Sequence, residues 1–142
     1  WHDVIDTNLN GMYNAARACI VTFLKQRKGD IVNISSLSGL IGLPGQTNYS
    51  SAKGAVNSFT KALAKETAAY GVRVNAVAPG FVETEMVSHL DEQQQEKIKA
   101  SIPLARFGQA REVAGCVKFL LSDASSYMTG QIIQMDGGLA IR

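Results

Sequence analysis

Tyr49 and Lys53 stand four residues apart in the run Asn48-Tyr49-Ser50-Ser51-Ala52-Lys53, and Ser36 lies thirteen residues before the tyrosine. Residues i and i+4 share one face of a helix, so a phenol and an ammonium at these positions point the same way. A free tyrosine, with a reference pKa of about 10, exchanges protons poorly near neutrality. A lysine cation beside a phenol stabilises the phenolate and lowers that value. A phenol tuned in this way can give a proton to a carbonyl oxygen or take one from an alcohol. A serine hydroxyl aimed at the same oxygen would complete the site. The tetrad alone is more commonly a half-buried ring beside a solvated charge, so the surrounding elements must decide.

Those elements follow from periodicity and punctuation. A first helix is expected from Asp3 to Arg27, with Val4, Ile5, Met12, Cys19, Ile20 and Phe23 as its apolar stripe and Gly29 as its stop. Asn8 falls inside that stripe, four residues from both Val4 and Met12. A buried amide needs partners or costs about 1–3 kcal/mol, so Asn8 is either a structural hydrogen-bonding residue or a site residue. Lys25, Arg27 and Lys28 suit the helix C-terminus or would serve to dock an acidic partner.

Asp30 to Ser35 reads as a short buried strand, and Gly39 to Gln46 as an apolar loop at a pocket mouth. A second helix is expected from Asn48 to Tyr70, closed by Gly71. Ala52, Gly54, Ala55, Ser58, Ala62 and Ala64 give it a small-residue face. Val72 to Ala78 is the next strand, broken by Pro79-Gly80. A polar helix is expected from about Thr84 to Ala100, another from Ala110 to Leu121 with Val113, Val117, Leu120 and Leu121 inward, and a last strand from Ile132 to Met135.

Strands separated by helical crossovers predict an α/β fold, a parallel sheet with helices on both faces. Ligands bind such sheets outside the carboxyl ends of the strands. Ser36 and Pro79-Gly80 fall at such ends, and the Tyr49–Lys53 helix departs from the same side.

Composition narrows the function classes. The 142 residues suffice for one domain with a real core. Net charge is +2, with seven basic and four acidic residues up to Gly71 and seven and eight beyond it, too even to argue for nucleic acid. No apolar run approaches the roughly 18 residues needed to span a bilayer. Cys19 and Cys116 lack metal-type spacing and read as small core residues in a reducing compartment, and no metal site is expected. His2 and His89 read as surface residues.

Five blocks then carry a resemblance. They are Asn8-Leu9; Asn33-Ile34-Ser35-Ser36; Gly45 to Lys53; Val74-Asn75-Ala76-Val77-Ala78-Pro79-Gly80-Phe81-Val82-Glu83-Thr84; and Tyr127-Met128-Thr129-Gly130-Gln131 leading to Asp136-Gly137-Gly138. In order and at this spacing they resemble the C-terminal portion of a short-chain dehydrogenase/reductase, and look closest to the 3-oxoacyl-[acyl-carrier-protein] reductase group. The resemblance covers the whole chain.

It implies a doubly wound, Rossmann-type sheet and roles for single residues. Ser36 would hydrogen-bond the substrate carbonyl, and Tyr49 would be the general acid. Lys53 would tune Tyr49 and bind the nicotinamide ribose. Asn8 would hold a water that joins Lys53 to solvent as a proton relay. Pro79, Gly80, Val82 and Thr84 would contact the nicotinamide end of the cofactor. The implied enzyme is an NAD(P)-dependent oxidoreductase of fatty acid biosynthesis, using NADPH, with NADH as the alternative. It would reduce a 3-oxoacyl thioester of acyl-carrier protein or coenzyme A. A cytoplasmic homotetramer is the implied setting, or the mitochondrial matrix in a eukaryote, with no nucleic-acid or membrane partner. Alternatives are a family member acting on a sugar, steroid or small ketone, and a non-catalytic partner subunit.

The family's glycine-rich phosphate loop, G-x-x-x-G-x-G, does not occur in the chain, and the residue before Gly71 is Tyr70 where acyl-carrier reductases often have a basic one. Residues 1–142 are therefore expected to be the C-terminal portion of a single Rossmann-type domain, a fragment inactive alone.

Overall fold

The valine-rich segments of the chain build a parallel sheet. The computed structural model describes residues 1–84, 87 and 89–141. Among them, β1 (Gly29–Ile34), β2 (Val72–Pro79) and β3 (Ile132–Met135) pair in the order β1-β2-β3, both pairs parallel. Ile34 lies opposite Val77, and Ala76 opposite Ile132. β2 and β3 fall where their β-branched runs place them, whereas β1 ends at Ile34, before the expected Ser35, and only Asn33 of it is buried because it lies at the sheet's edge. Pro79 is the last residue of β2, opposite Met135, so the break expected at Pro79-Gly80 falls after the proline.

The first segment is helical from His2 to Gln26 but not continuous α-helix. α1 (His2–Ile5) and α2 (Gly11–Gln26) are joined by a π turn over Asp6–Asn10, closed by the Gly11 N–H on the Asp6 carbonyl. Apolar periodicity does not reveal such a turn, because the stripe keeps its side on both flanks. The helix stops at Arg27, in the left-handed region at φ 52°, so Arg27 and not Gly29 ends it. The Arg27 and Lys28 N–H groups take up the Leu24 and Phe23 carbonyls. The Arg27 guanidinium then crosses to the Ala69 carbonyl at 2.9 Å and lies 5.6 Å from the Tyr70 ring centre.

The expected Gly39–Gln46 loop opens with a short helix, α3 (Ser38–Ile41), before the turn. α4 (Thr47–Thr67) carries the small-residue face, and a 3₁₀ turn at Ala68–Tyr70 leads to Gly71 at φ 71°. Ala52 and Ala64 of that face are buried, while Ser58 and Ala62 remain exposed. α5 (Glu92–Ser101) opens with an Asp91–Gln94 capping box. It begins later than the expected Thr84 start, and residues 85, 86 and 88 of that expectation lie outside the described residues. α6 (Ala110–Leu120) is as expected except at its end: Leu120 is fully buried, whereas Leu121 caps the helix and is exposed.

Val72 and Val74 of β2 pack with Ala64 of α4 and with Ile20, Phe23 and Leu24 of α2. α6 packs along β2 from the other side, where Ile34, Val113, Val117 and Leu121 border one groove. Helices thus cover both faces, as the resemblance implies. A second cluster of Val87, Ile102 and Phe107, with Phe81, Leu90 and Ile98, lies beyond the end of β2. Cys19 and Cys116 are half-buried free thiols rather than full core residues, and His2 and His89 are exposed.

Candidate active site

The backbone brings the serine turn onto the end of β2. Ser35 N–H donates to the Val77 carbonyl and Leu37 N–H to the Pro79 carbonyl, both at 2.8 Å. Ser36 lies between these two anchors, half-buried, at the carboxyl ends of β1 and β2. The same turn is then fixed to α4. Ser35 Oγ donates to the Lys53 carbonyl at 3.1 Å, and Asn57 Nδ2 donates to the Gly39 carbonyl at 3.1 Å. Gly39 permits this contact, since a β-carbon there would stand 2.5 Å from the Lys53 carbonyl carbon.

On α4, Tyr49 and Lys53 share one face as their spacing predicts. Lys53 is 8% exposed, and its ammonium lies 5.6 Å from the Tyr49 ring centre. It donates one hydrogen bond, to the Ile34 carbonyl at 2.9 Å, where β1 ends. An ammonium has three donors, so two remain for other groups. Burial disfavours the charged form and pushes the Lys53 pKa below its ordinary value.

Asn8 sits in the π turn. Its Nδ2 donates to the Val4 carbonyl at 3.1 Å. Asn8 and Lys53 both border a cleft of about 470 Å³ between the first helical segment and the outer edge of β1. Their hydrogen bonds go to different carbonyls, Val4 and Ile34, at this shared cleft. The π turn explains how an amide in an apolar stripe faces this space, and such turns recur at functional sites.

Pro79 and Gly80 lie at the carboxyl end of β2, with Gly80 N–H on the Met135 carbonyl at 2.9 Å. Val82 pairs with Gly108 in an isolated bridge. Thr84 is exposed, its hydroxyl donating to the Val82 carbonyl at 3.3 Å. The structure therefore gathers Ser36, Tyr49, Lys53, Pro79 and Gly80 at one end of the sheet. Val82 and Thr84 continue outward from it.

Chemically, the arrangement offers a hydroxyl and a phenol above the strand ends, with a buried ammonium behind the phenol. This set can polarise a carbonyl oxygen and hand it a proton. A family model described as enoyl-(acyl carrier protein) reductase matches residues 1–140. The chain belongs to the short-chain dehydrogenase/reductase family. It is 51% identical over 141 residues to the 3-oxoacyl-[acyl-carrier-protein] reductase FabG of Thermotoga maritima, covering 99% of this chain and 57% of that protein. A 3-oxoacyl-[acyl-carrier-protein] reductase of Synechocystis is 50% identical over 142 residues, covering 99% and 56%. The crystal structure of a 3-oxoacyl-[acyl-carrier protein] reductase from Brucella melitensis superposes with a TM-score of 0.91 at 39% identity, over 95% of this chain and 51% of that one. The likeness establishes the Rossmann-type fold. The chain spans about half the length of the curated relatives it matches.

Two polar residues of the site carried a signal that the sequence reading did not use. Asn57 lies four residues after Lys53 on the packed side of α4, the same anomaly that singled out Asn8. Its Oδ1 has no partner among the described residues, while its Nδ2 holds the serine turn. Ser38 is 5% exposed and donates to Gln46 Oε1 at 2.7 Å, which joins the serine turn to the start of α4.

Proposed function

We propose that this chain supplies the proton-transfer half of an NAD(P)H-dependent reductase, cytoplasmic in setting, that converts a 3-oxoacyl thioester to its 3-hydroxyacyl product in fatty acid biosynthesis. The observation that supports this most is the buried Lys53 ammonium, 5.6 Å from the Tyr49 ring, on a helix tied directly to the Ser36 turn.

In this reading Ser36 Oγ donates to the ketone oxygen and orients it. Tyr49 Oη gives its proton to the same oxygen as the alcohol forms. Lys53 stabilises the phenolate left behind, and its two uncommitted donors suit the ribose hydroxyls of a nicotinamide cofactor. Pro79, Gly80, Val82 and Thr84 line the nicotinamide side, Val82 through its backbone. Asn8 holds a water in the cleft it shares with Lys53 and so returns the proton from solvent. When bound, the cofactor supplies hydride; NADPH is the reading preferred over NADH.

The phosphate and adenine ends of that cofactor need residues this chain does not contain, so the 142 residues act as the C-terminal portion of one Rossmann-type domain. No helix among the described residues is long and apolar enough to cross a membrane. The exposed Ser58 and Ala62 side of α4, beside α2, suits packing against a second copy, and a homotetramer is the proposed state. Arg27, stacked on Tyr70, leaves basic character on the face where an acyl-carrier protein would dock.

The test is reduction of a 3-oxoacyl thioester by the full-length protein with NADPH and with NADH. Turnover of sugars, steroids or small ketones with none of the thioester would replace this reading. Sedimentation at micromolar concentration tests the tetramer, and a monomer would contradict it.

A further inference from the structure

Gly108 holds the extended segment that follows β2. Its N–H donates to the Phe81 carbonyl, and its carbonyl accepts from the Glu83 N–H, both at 2.9 Å. These two bonds make the isolated parallel bridge between Val82 and Gly108. In an extended chain the backbone groups of successive residues point to opposite sides. The Phe81 carbonyl and the Glu83 N–H face Gly108. The N–H and carbonyl of Val82 therefore face away from it, one donor and one acceptor on the same edge.

The loop that presents Gly108 is shaped by an ion pair. The chain turns at Ala105, whose φ of 53° is unfavourable for a residue with a β-carbon. Arg106 follows, and its guanidinium spans the loop to Glu112 on α6. Nη2 reaches Oε1 at 2.7 Å and Nη1 reaches Oε2 at 2.9 Å. Nη1 also donates to the Phe107 carbonyl at 3.0 Å, and Glu112 Oε2 accepts from the Gln109 N–H at 2.8 Å. One guanidinium and one carboxylate thus fix the backbone on both sides of Gly108. Both side chains are well exposed, and an exposed pair contributes little to stability. A two-bond fork contributes geometry instead. The left-handed alanine beside it is a backbone cost of the kind that collects at functional sites.

We propose that Arg106 and Glu112 are positioning residues for the nicotinamide cofactor: their ion pair sets the Gly108 loop, which holds Val82 so that its N–H and carbonyl meet the cofactor's carboxamide. A carboxamide offers an acceptor oxygen and N–H donors, the complement of the two Val82 groups. Neither charged side chain touches the cofactor; the pair acts through the backbone alone. This rests on the cofactor reading given above.

The experiment uses the full-length protein and two probes, with Kd measured for each by calorimetry. One is NADPH. The other is 2′-phospho-ADP-ribose, the same cofactor without its nicotinamide; NADH and ADP-ribose replace them where the wild type prefers NADH. Arg106→Ala is expected to raise the Kd for NADPH about tenfold, the size of one hydrogen bond, and to leave that for the fragment unchanged. Arg106→Lys, which keeps the charge and loses the fork, and Glu112→Gln, which keeps the shape, are expected to shift the same way by less. Val82→Pro, which removes the N–H itself, is expected to show the same split between probes. Adding Arg106→Ala to it is expected to cost little more, since both act through one group. Equal weakening of both probes would show a merely structural role and overturn the inference. Unchanged NADPH affinity in the Arg106 variants, or fully additive losses in the double variant, would overturn it as well. A wild type that binds neither dinucleotide overturns the cofactor reading, and the inference with it.

Discussion

Gly39 crosses Lys53 so closely that a β-carbon at residue 39 would stand 2.5 Å from the lysine's carbonyl carbon and 2.7 Å from the next backbone nitrogen. Both neighbours are backbone, so neither can swing aside. The distance from the serine turn to the tyrosine helix is therefore set by a missing methyl group. Gly39→Ala in the full-length protein is expected to push Ser36 away from Tyr49 and lower kcat about a hundredfold, as misplacement of about 1 Å can do. Steady-state kinetics beside a thermal melt check this. A folded variant within threefold of wild type would show that the gap closes by other means.

Tyr49→Phe removes only the transferable proton. Turnover is expected to fall by at least about 100-fold, since general acid catalysis contributes about 10²–10⁴. Cofactor affinity, measured by nicotinamide fluorescence, is expected to stay near wild type. A variant that keeps more than about a tenth of kcat would remove Tyr49 from the acid role.

Lys53→Ala is expected to act more broadly. In the proposed mechanism the ammonium serves the phenol beside it and offers two donors to the ribose, so kcat should fall and the cofactor Kd should rise together. Unchanged cofactor affinity would show that its free donors do not bind the cofactor.

Glu112 gives a prediction in pH. The Arg106 hydrogen bonds, at 2.7 and 2.9 Å, and then the Gln109 N–H hold its carboxyl at about 2, well below the ordinary 4.5. A depressed value means that the folded state favours the carboxylate, so this stabilisation is complete above pH 4.5 and is lost as pH falls toward 2. Glu112→Gln is expected to lower Tm modestly at pH 7, as an exposed pair should. The difference from wild type should shrink across that acid window. A Tm difference that stays constant from pH 6 to pH 2 would contradict the assignment.

Residues 1–142 expressed alone are expected neither to bind NADPH nor to catalyse. The chain brings the proposed proton-transfer groups but no G-x-x-x-G-x-G loop, and much of a dinucleotide's grip lies at its pyrophosphate. The outer edge of β1 pairs with no strand among the described residues, and an open edge invites association with other chains. Titration followed by nicotinamide fluorescence, with sedimentation alongside, is the check. Saturable micromolar binding by a monomer would overturn it.

What the sequence made legible follows a physical line. The convergence of Tyr49, Lys53 and Ser36 was readable because a helix face and a strand end dictate where residues at that spacing fall. The strands were readable because β-branched runs have few other uses. Arg27 was not, because a left-handed cap at a non-glycine residue is held by distant contacts such as the Ala69 carbonyl, 42 residues on, that its guanidinium reaches. Leu121 was not, because one residue of helix end decides which side an apolar chain faces. Asn57 escaped because its meaning lies in a partner on another element, the Gly39 carbonyl, which no local pattern shows.

The π turn at Asp6–Asn10 has a consequence for the chain as a string of letters. A turn closed from residue i to i+5 holds one residue more than an α turn, without altering the phase of the helix on either side. Removing any one of the four residues of the turn other than Asn8 would let the segment close as ordinary α-helix, with α1 and α2 keeping their phase. Such a deletion would be nearly silent for folding, yet would swing Asn8 off the Lys53 cleft. The helix therefore carries a spare letter, and under the role proposed for Asn8 a length change there would alter function while the packing around it stayed in frame.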